Sequence, residues 1–144
     1  MTYLTLVEYI QERIEAHYLI NQYGFGNLSD IETPETGAPN YPYAFLRPQD
    51  ISVGPHSSSF QFELILMDYV FDTTLGHVDG ISRMLQILSD IVDDLRTKNR
   101  ELDIEFSVTS TPFKERFKDN VVGLTARINI ITATPLDGCN PVIA

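Results

Sequence analysis

The sequence predicts an α+β domain in which two helices cover one face of an antiparallel sheet of about four strands. Three observations point to it. Two segments carry apolar residues at helical spacing, four others have strand character, and the order is α-β-β-α-β-β. The chain has 144 residues, the size of one ordinary domain, and can bury roughly 68–70% of its unfolded surface.

The first helix rests on Tyr3, Val7, Ile10, Ile14 and Tyr18, which form one stripe of a 3.6-residue period. Thr5 and Glu8 fit a capping box with Leu4 and Tyr9 as its staple, and Gly24 is the expected stop. The span 24–42, rich in Gly, Pro and Asn, reads as a long loop, of a length usually kept for function. Tyr43 to Val53 is the first strand, and Pro48 marks an edge or a bulge within it. Gly54-Pro55 and the serines 57–59 make the turn. Phe60, Phe62, Leu64 and Leu66 then form one face of the second strand, with Gln61, Glu63, Ile65 and Met67 on the other.

Val78 to Asn99 is the second helix, with Val78, Ile81, Met84, Leu85, Leu88, Ile91, Val92 and Leu95 as its apolar stripe. Ile104, Phe106 and Val108 alternate with polar residues and predict a third strand. After a polar loop holding Pro112, a fourth strand turns Val122, Leu124, Ala126, Ile128 and Ile130 inward. The expected core includes Leu85, Leu88, Val92, Phe62, Leu64, Phe106, Leu124 and Ile128. One domain over 1–133 and an extended tail over 134–144 complete the organisation.

The formal net charge is −10. Phosphate affinity is built from clustered Lys and Arg, and Lys114, Arg116 and Lys118, diluted by Glu115, are the one basic cluster. Sequence-specific nucleic-acid binding and a polybasic membrane contact are therefore disfavoured. No apolar run reaches the ~18–20 residues of a membrane span, and Met1 to Leu4 lack a signal-peptide pattern. A cytosolic setting is the default expectation.

Candidate chemistry is sparse. His17, His56 and His77 have no partner at metal-ligand spacing, which predicts structural or surface roles and no metal or cofactor. Cys139 is the single cysteine; it sits in the tail without an activating neighbour in sequence. Ser57 to Ser59 follow His56 but lack a nucleophile elbow. Gly24-Phe25-Gly26 has two glycines of a phosphate loop, yet it follows a helix and lacks the third Gly and the Lys. Asp90, Asp93 and Asp94 lie off the apolar stripe and read as a solvated helix face. No catalytic residue is therefore assigned.

Aromatics in or beside loops are the stronger signal: Phe25, Tyr41, Tyr43, Phe113 and Phe117. Aromatic residues are enriched at interface hot spots; the alternative is that the loops fold back and bury them.

The order of elements resembles the tail terminator proteins of tailed bacteriophages and their head–tail completion (neck) relatives. The residues that carry the resemblance are the first helix from Thr5 to Ile20, the irregular loop with Gly24-Phe25-Gly26, and the hairpin from Tyr43 to Tyr69. The helix from Val78 and the closing strand from Asp119 to Ile128 extend it over most of the chain; the Pro-containing tail departs from the pattern. The resemblance implies a non-enzymatic virion protein, made in the host cytoplasm and placed at the head–tail junction or in the tail. It implies a ring, commonly a hexamer, with other neck or tail proteins as partners and DNA passing through it.

Rings are heterologous assemblies, so each subunit needs two different complementary patches. The expected contact residues are Phe25, Tyr41, Tyr43, Phe113, Phe117 and the tail's Leu136, Val142 and Ile143. Two other readings stay open: a small ligand-binding domain or enzyme with a pocket between helices and sheet, and a non-phage adaptor that dimerises through the open sheet face.

Overall fold

The computed structural model describes residues 3–27, 41–69, 74–98, 102–104, 109–114 and 121–132. Two helices, α1 (Tyr3–Glu15) and α2 (Thr74–Lys98), accompany β1 (Gln22–Phe25), β2 (Tyr43–Val53), β3 (Ser58–Tyr69), β4 (Leu102–Ile104), β5 (Thr109–Lys114) and β6 (Val121–Thr132). The strands fill five positions in the order β1-β2-β3-β6, with β4 and β5 both lying along the outer side of β6. The α+β class holds, but the sheet is mixed and has six strands among the described residues. β1 runs parallel to β2, from Gln22 opposite Tyr43 to Phe25 opposite Leu46; the other pairs are antiparallel.

β1 escapes the pattern because it is four residues long and contains Gly24, which in sequence looks like a helix stop. A parallel pair also needs a connection of a dozen or more residues, and the span between β1 and β2 supplies it. Residues 28–40 of that span, and the tail 134–144, lie outside the described residues. Of the third predicted strand, Ile104 lies in β4, Phe106 and Val108 lie outside the described residues, and β5 occupies the span expected as a polar loop. Four residues separate Ile104 from Thr109, whereas two separate their partners Ile130 and Arg127, so one continuous register is impossible. Pro112 stands in β5 and not in a loop, on an outer strand where a missing N–H is tolerated.

Alternation places the core. Ala44 and Leu46, then Phe60, Phe62, Leu64 and Leu66, then Leu124, Ala126, Ile128 and Ile130 share one face of the sheet. They pack against Leu6, Ile10 and Ile14 of α1 and Met84, Ile87, Leu88, Ile91, Val92 and Leu95 of α2. Both helices thus sit on one face. Of the expected core, Phe62, Leu64, Leu88, Val92, Leu124 and Ile128 are buried, and Phe106 lies outside the described residues. Leu85 is 45% exposed: the predicted stripe was drawn too wide, and Ile87 takes the inward position. Val78 is exposed for the same reason, and Tyr18 because α1 ends at Glu15. Thr5 lies inside α1, so the predicted capping box is not its cap.

A second, smaller cluster lies on the opposite face: Tyr43, Phe45, Ile65 and Met67, with Tyr41 packed against it. Gly24 belongs to this packing. A Cβ there would come within 2.7 Å of the Tyr43 hydroxyl oxygen and 2.8 Å of Phe45 Cδ2, so the two rings require a glycine in β1.

Pro48 does mark a bulge. Pro48 pairs with Phe62, but Ile51 pairs with Phe60, so two residues of β2 face one of β3.

Candidate functional site

Arg83 of α2 joins the buried Asp68 at 2.6 Å and Asp79 at 3.4 Å, and two further places gather polar side chains among the described residues. The first is the seam between α1 and α2. Tyr9 donates its hydroxyl to the Leu95 carbonyl at 3.2 Å. One turn on, Arg13 Nη1 lies 3.3 Å from Asp94 Oδ2. One turn further, His17 Nε2 lies 2.9 Å from Asp90 Oδ2. Positions 9, 13 and 17 ascend while 95, 94 and 90 descend, so the helices run antiparallel and the three contacts follow their line of contact.

His17 sits in the turn that leaves α1, with its side chain 6% exposed. The Leu19 N–H donates to His17 Nδ1 at 3.1 Å, so in the neutral ring Nε2 carries the proton and donates to Asp90. Both ring nitrogens are thereby occupied within the chain. A His–Asp pair used as a general base needs one ring nitrogen directed at substrate; this one holds two helices together. Asp90 and Asp94, expected on a solvated face, point at α1 instead, and of the three acids Asp93 alone is fully on the surface. A signal exists in the sequence: bases at 13 and 17 and acids at 90 and 94 are each four residues apart, the spacing of one helical turn.

The second place is the sheet face turned away from the helices. Arg47, Glu63 and Arg127 are register partners across β2, β3 and β6, forming a +/−/+ row. Arg47 Nη1 lies 3.3 Å from Glu63 Oε1, and Glu63 is buried, so its charge is balanced at close range. Gln61 and Asn129 pair in the next row. With Gln49 and Asp50 of the bulged stretch they line a groove of about 660 Å³. The bulge lets successive residues 49 and 50 both border it. The groove is polar and open, and neither a His nor a Cys lines it among the described residues. The charged row depends on register between three strands, which the pattern of no single segment shows.

Tyr23 of β1 is strongly perturbed. Burial pushes its phenol well above the ordinary tyrosine value, and the nearby Glu15 carboxylate adds to the rise. Its hydroxyl is buried with no hydrogen-bond partner among the described residues.

The expected contact residues have different fates. Phe25, on β1, is 42% exposed, whereas Tyr43 is buried within the chain, edge-on to Phe45 at 6.3 Å between centroids. Its ring therefore offers no surface to a neighbour. Tyr41 packs on the same cluster and is half-buried. Phe113 is placed by its backbone on β5, while Phe117, Leu136, Val142 and Ile143, like Cys139, lie outside the described residues. His56 is exposed in the β2–β3 turn, and His77 belongs to α2. Gly24-Phe25-Gly26 forms β1 and its end, not a phosphate loop.

Among the described residues no three His, Cys, Asp or Glu side chains are grouped to hold a metal ion, and no helix is long and apolar enough to cross a membrane. No family model matches the chain, and comparison with curated proteins finds no significant match.

Proposed function

We propose that this chain is a structural subunit of a ring, a tail terminator or head–tail connector of a tailed bacteriophage, with copies joined head to tail. The observation that carries the reading is the pair of unlike sheet edges. One side of the sheet ends in β1, a four-residue parallel strand carrying the exposed Phe25. The other ends in β4 and β5, antiparallel to β6. A heterologous contact needs two different surfaces on one subunit, and an edge strand is a ready template for another chain. The net charge of −10 suits a channel that DNA crosses without adhering. The polar pairs at the helix seam act within the subunit, which also fits an architectural role.

One observation favours a second reading. The open groove beside Glu63 and Arg127 has the volume of a small-molecule site, which fits a ligand-binding domain. Removal of residues 134–144 separates the two. For the ring subunit, the shortened chain keeps its circular dichroism spectrum and loses assembly by light scattering. For the binding domain, the chain is monomeric with or without the segment.

A further inference from the structure

Toward its turn, the β2–β3 hairpin has one edge of β2 without a neighbouring strand among the described residues. β1 lies beside β2 only from Tyr43 to Leu46. Gly26 donates its N–H to the Leu46 carbonyl and, with φ at 140°, ends the run there. From Arg47 to Val53 no strand flanks that edge of β2 among the described residues. Ile51 and Val53 stand on this stretch, both β-branched, 50% and 65% exposed. Ile51 is the ladder partner of Phe60, on which Tyr3 packs at 5.7 Å between ring centroids. Next to Tyr3, at the start of α1, Leu4 is 67% exposed. An open edge beside exposed apolar side chains suits an added extended segment.

The course of β6 identifies the segment. Its last residue, Thr132, pairs with Ser58, and Ser58 pairs with Val53. The chain therefore leaves the sheet in the same cross-strand row, two strand spacings or about 10 Å from Val53. Twelve residues follow, 133–144, enough to span about 40 Å when extended. Pro135 and Pro141 bracket residues 136–140, the length of a short strand. β2 and β6 both run antiparallel to β3, so they point the same way. The subunit's own segment would have to reverse around Gly54–Ser57 to lie on the β2 edge. A segment arriving from a neighbouring copy is not bound to start from that row.

We propose that the edge of β2 from Arg47 to Val53 receives the C-terminal segment of a second copy of this chain. Leu136, Val142 and Ile143 then cover Ile51, Val53 and Leu4. The proposal rests on the ring reading and adds which surface accepts the segment.

Cys139 is the single cysteine, so one introduced thiol reports the contact. Val53→Cys and Ile51→Cys are made in the full chain, with Glu8→Cys on the exposed side of α1 as control. Each is oxidised mildly and run without reductant, and the mass of the unoxidised wild-type chain is measured by light scattering. The expected result is a multimer in which both hairpin variants form chain-to-chain disulfides several-fold above the wild-type and Glu8→Cys backgrounds. A hairpin variant that keeps its circular dichroism spectrum but no longer assembles also supports the contact. Cross-linking within one chain, or none above background in a multimer, overturns the docking and leaves the ring intact. A monomeric wild-type chain overturns both.

Discussion

His17 and Asp90, 73 residues apart in the chain, meet at 2.9 Å with the imidazole's other nitrogen capped by the Leu19 N–H. This single side chain ties the exit of α1 both to α2 and to its own turn. A hydrogen bond to a charged group contributes about 1.5–3 kcal/mol when buried, and Asp90 is partly in water. His17→Ala is therefore expected to lower unfolding free energy by about 1–2 kcal/mol. His17→Asn, whose amide oxygen can still accept from Leu19, should recover part of the loss. A double-mutant cycle with Asp90→Ala in urea denaturation checks the pairing. Additive effects would show that the two groups do not interact.

Gly24 faces the Tyr43 and Phe45 rings too closely for a Cβ. Gly24→Ala is expected to cost about 1–3 kcal/mol through overpacking. A Gly24→Ala, Phe45→Leu double variant should regain part of it, because the nearest ring carbons are removed. Equal stability of Gly24→Ala and the wild type would contradict the geometry.

Much of the fold was legible in the sequence because period and burial agree. The alternation from Phe60 to Leu66 and from Val122 to Ile130 needed only one buried face to be read correctly. What escaped depends on register between distant segments. β1 is too short to show a period, and the Arg47–Glu63–Arg127 row exists only once three strands are aligned. Leu85 was misplaced because an apolar stripe can be drawn one residue too wide on a helix whose neighbours are unknown. The acids at 90 and 94 read as a wet face for the same reason: their partners Arg13 and His17 lie on α1 and in the turn that leaves it.

That correction is directly measurable. Leu64→Ala, fully buried, should destabilise the chain by about 2–5 kcal/mol. Leu85→Ala should stay within about 0.5 kcal/mol of the wild type. Chemical denaturation of the two variants side by side decides it, and equal losses would return Leu85 to the core.

Tyr23 makes stability depend on alkaline pH. Its phenol is raised in the folded chain by burial, then by Glu15, so the folded state holds the proton more tightly than the unfolded one. The contribution is fully present below the ordinary tyrosine value of about 10 and is lost as pH rises through the folded value. Denaturation midpoints should fall more steeply above pH ~10 for the wild type than for Tyr23→Phe. At neutral pH that variant is expected to equal or exceed the wild type by up to about 1 kcal/mol, since it removes a buried hydroxyl with no partner among the described residues. A loss of stability at neutral pH would mean that the hydroxyl is bonded.

The mass of the intact chain in solution tests the central claim most directly. Static light scattering across a concentration series, followed by negative-stain images of the same sample, should give a closed assembly of identical 16.3 kDa chains. A hexameric mass with ring-shaped particles is the expected result. A concentration-independent mass of one chain, or an isologous dimer joined through the open sheet face, would contradict the ring.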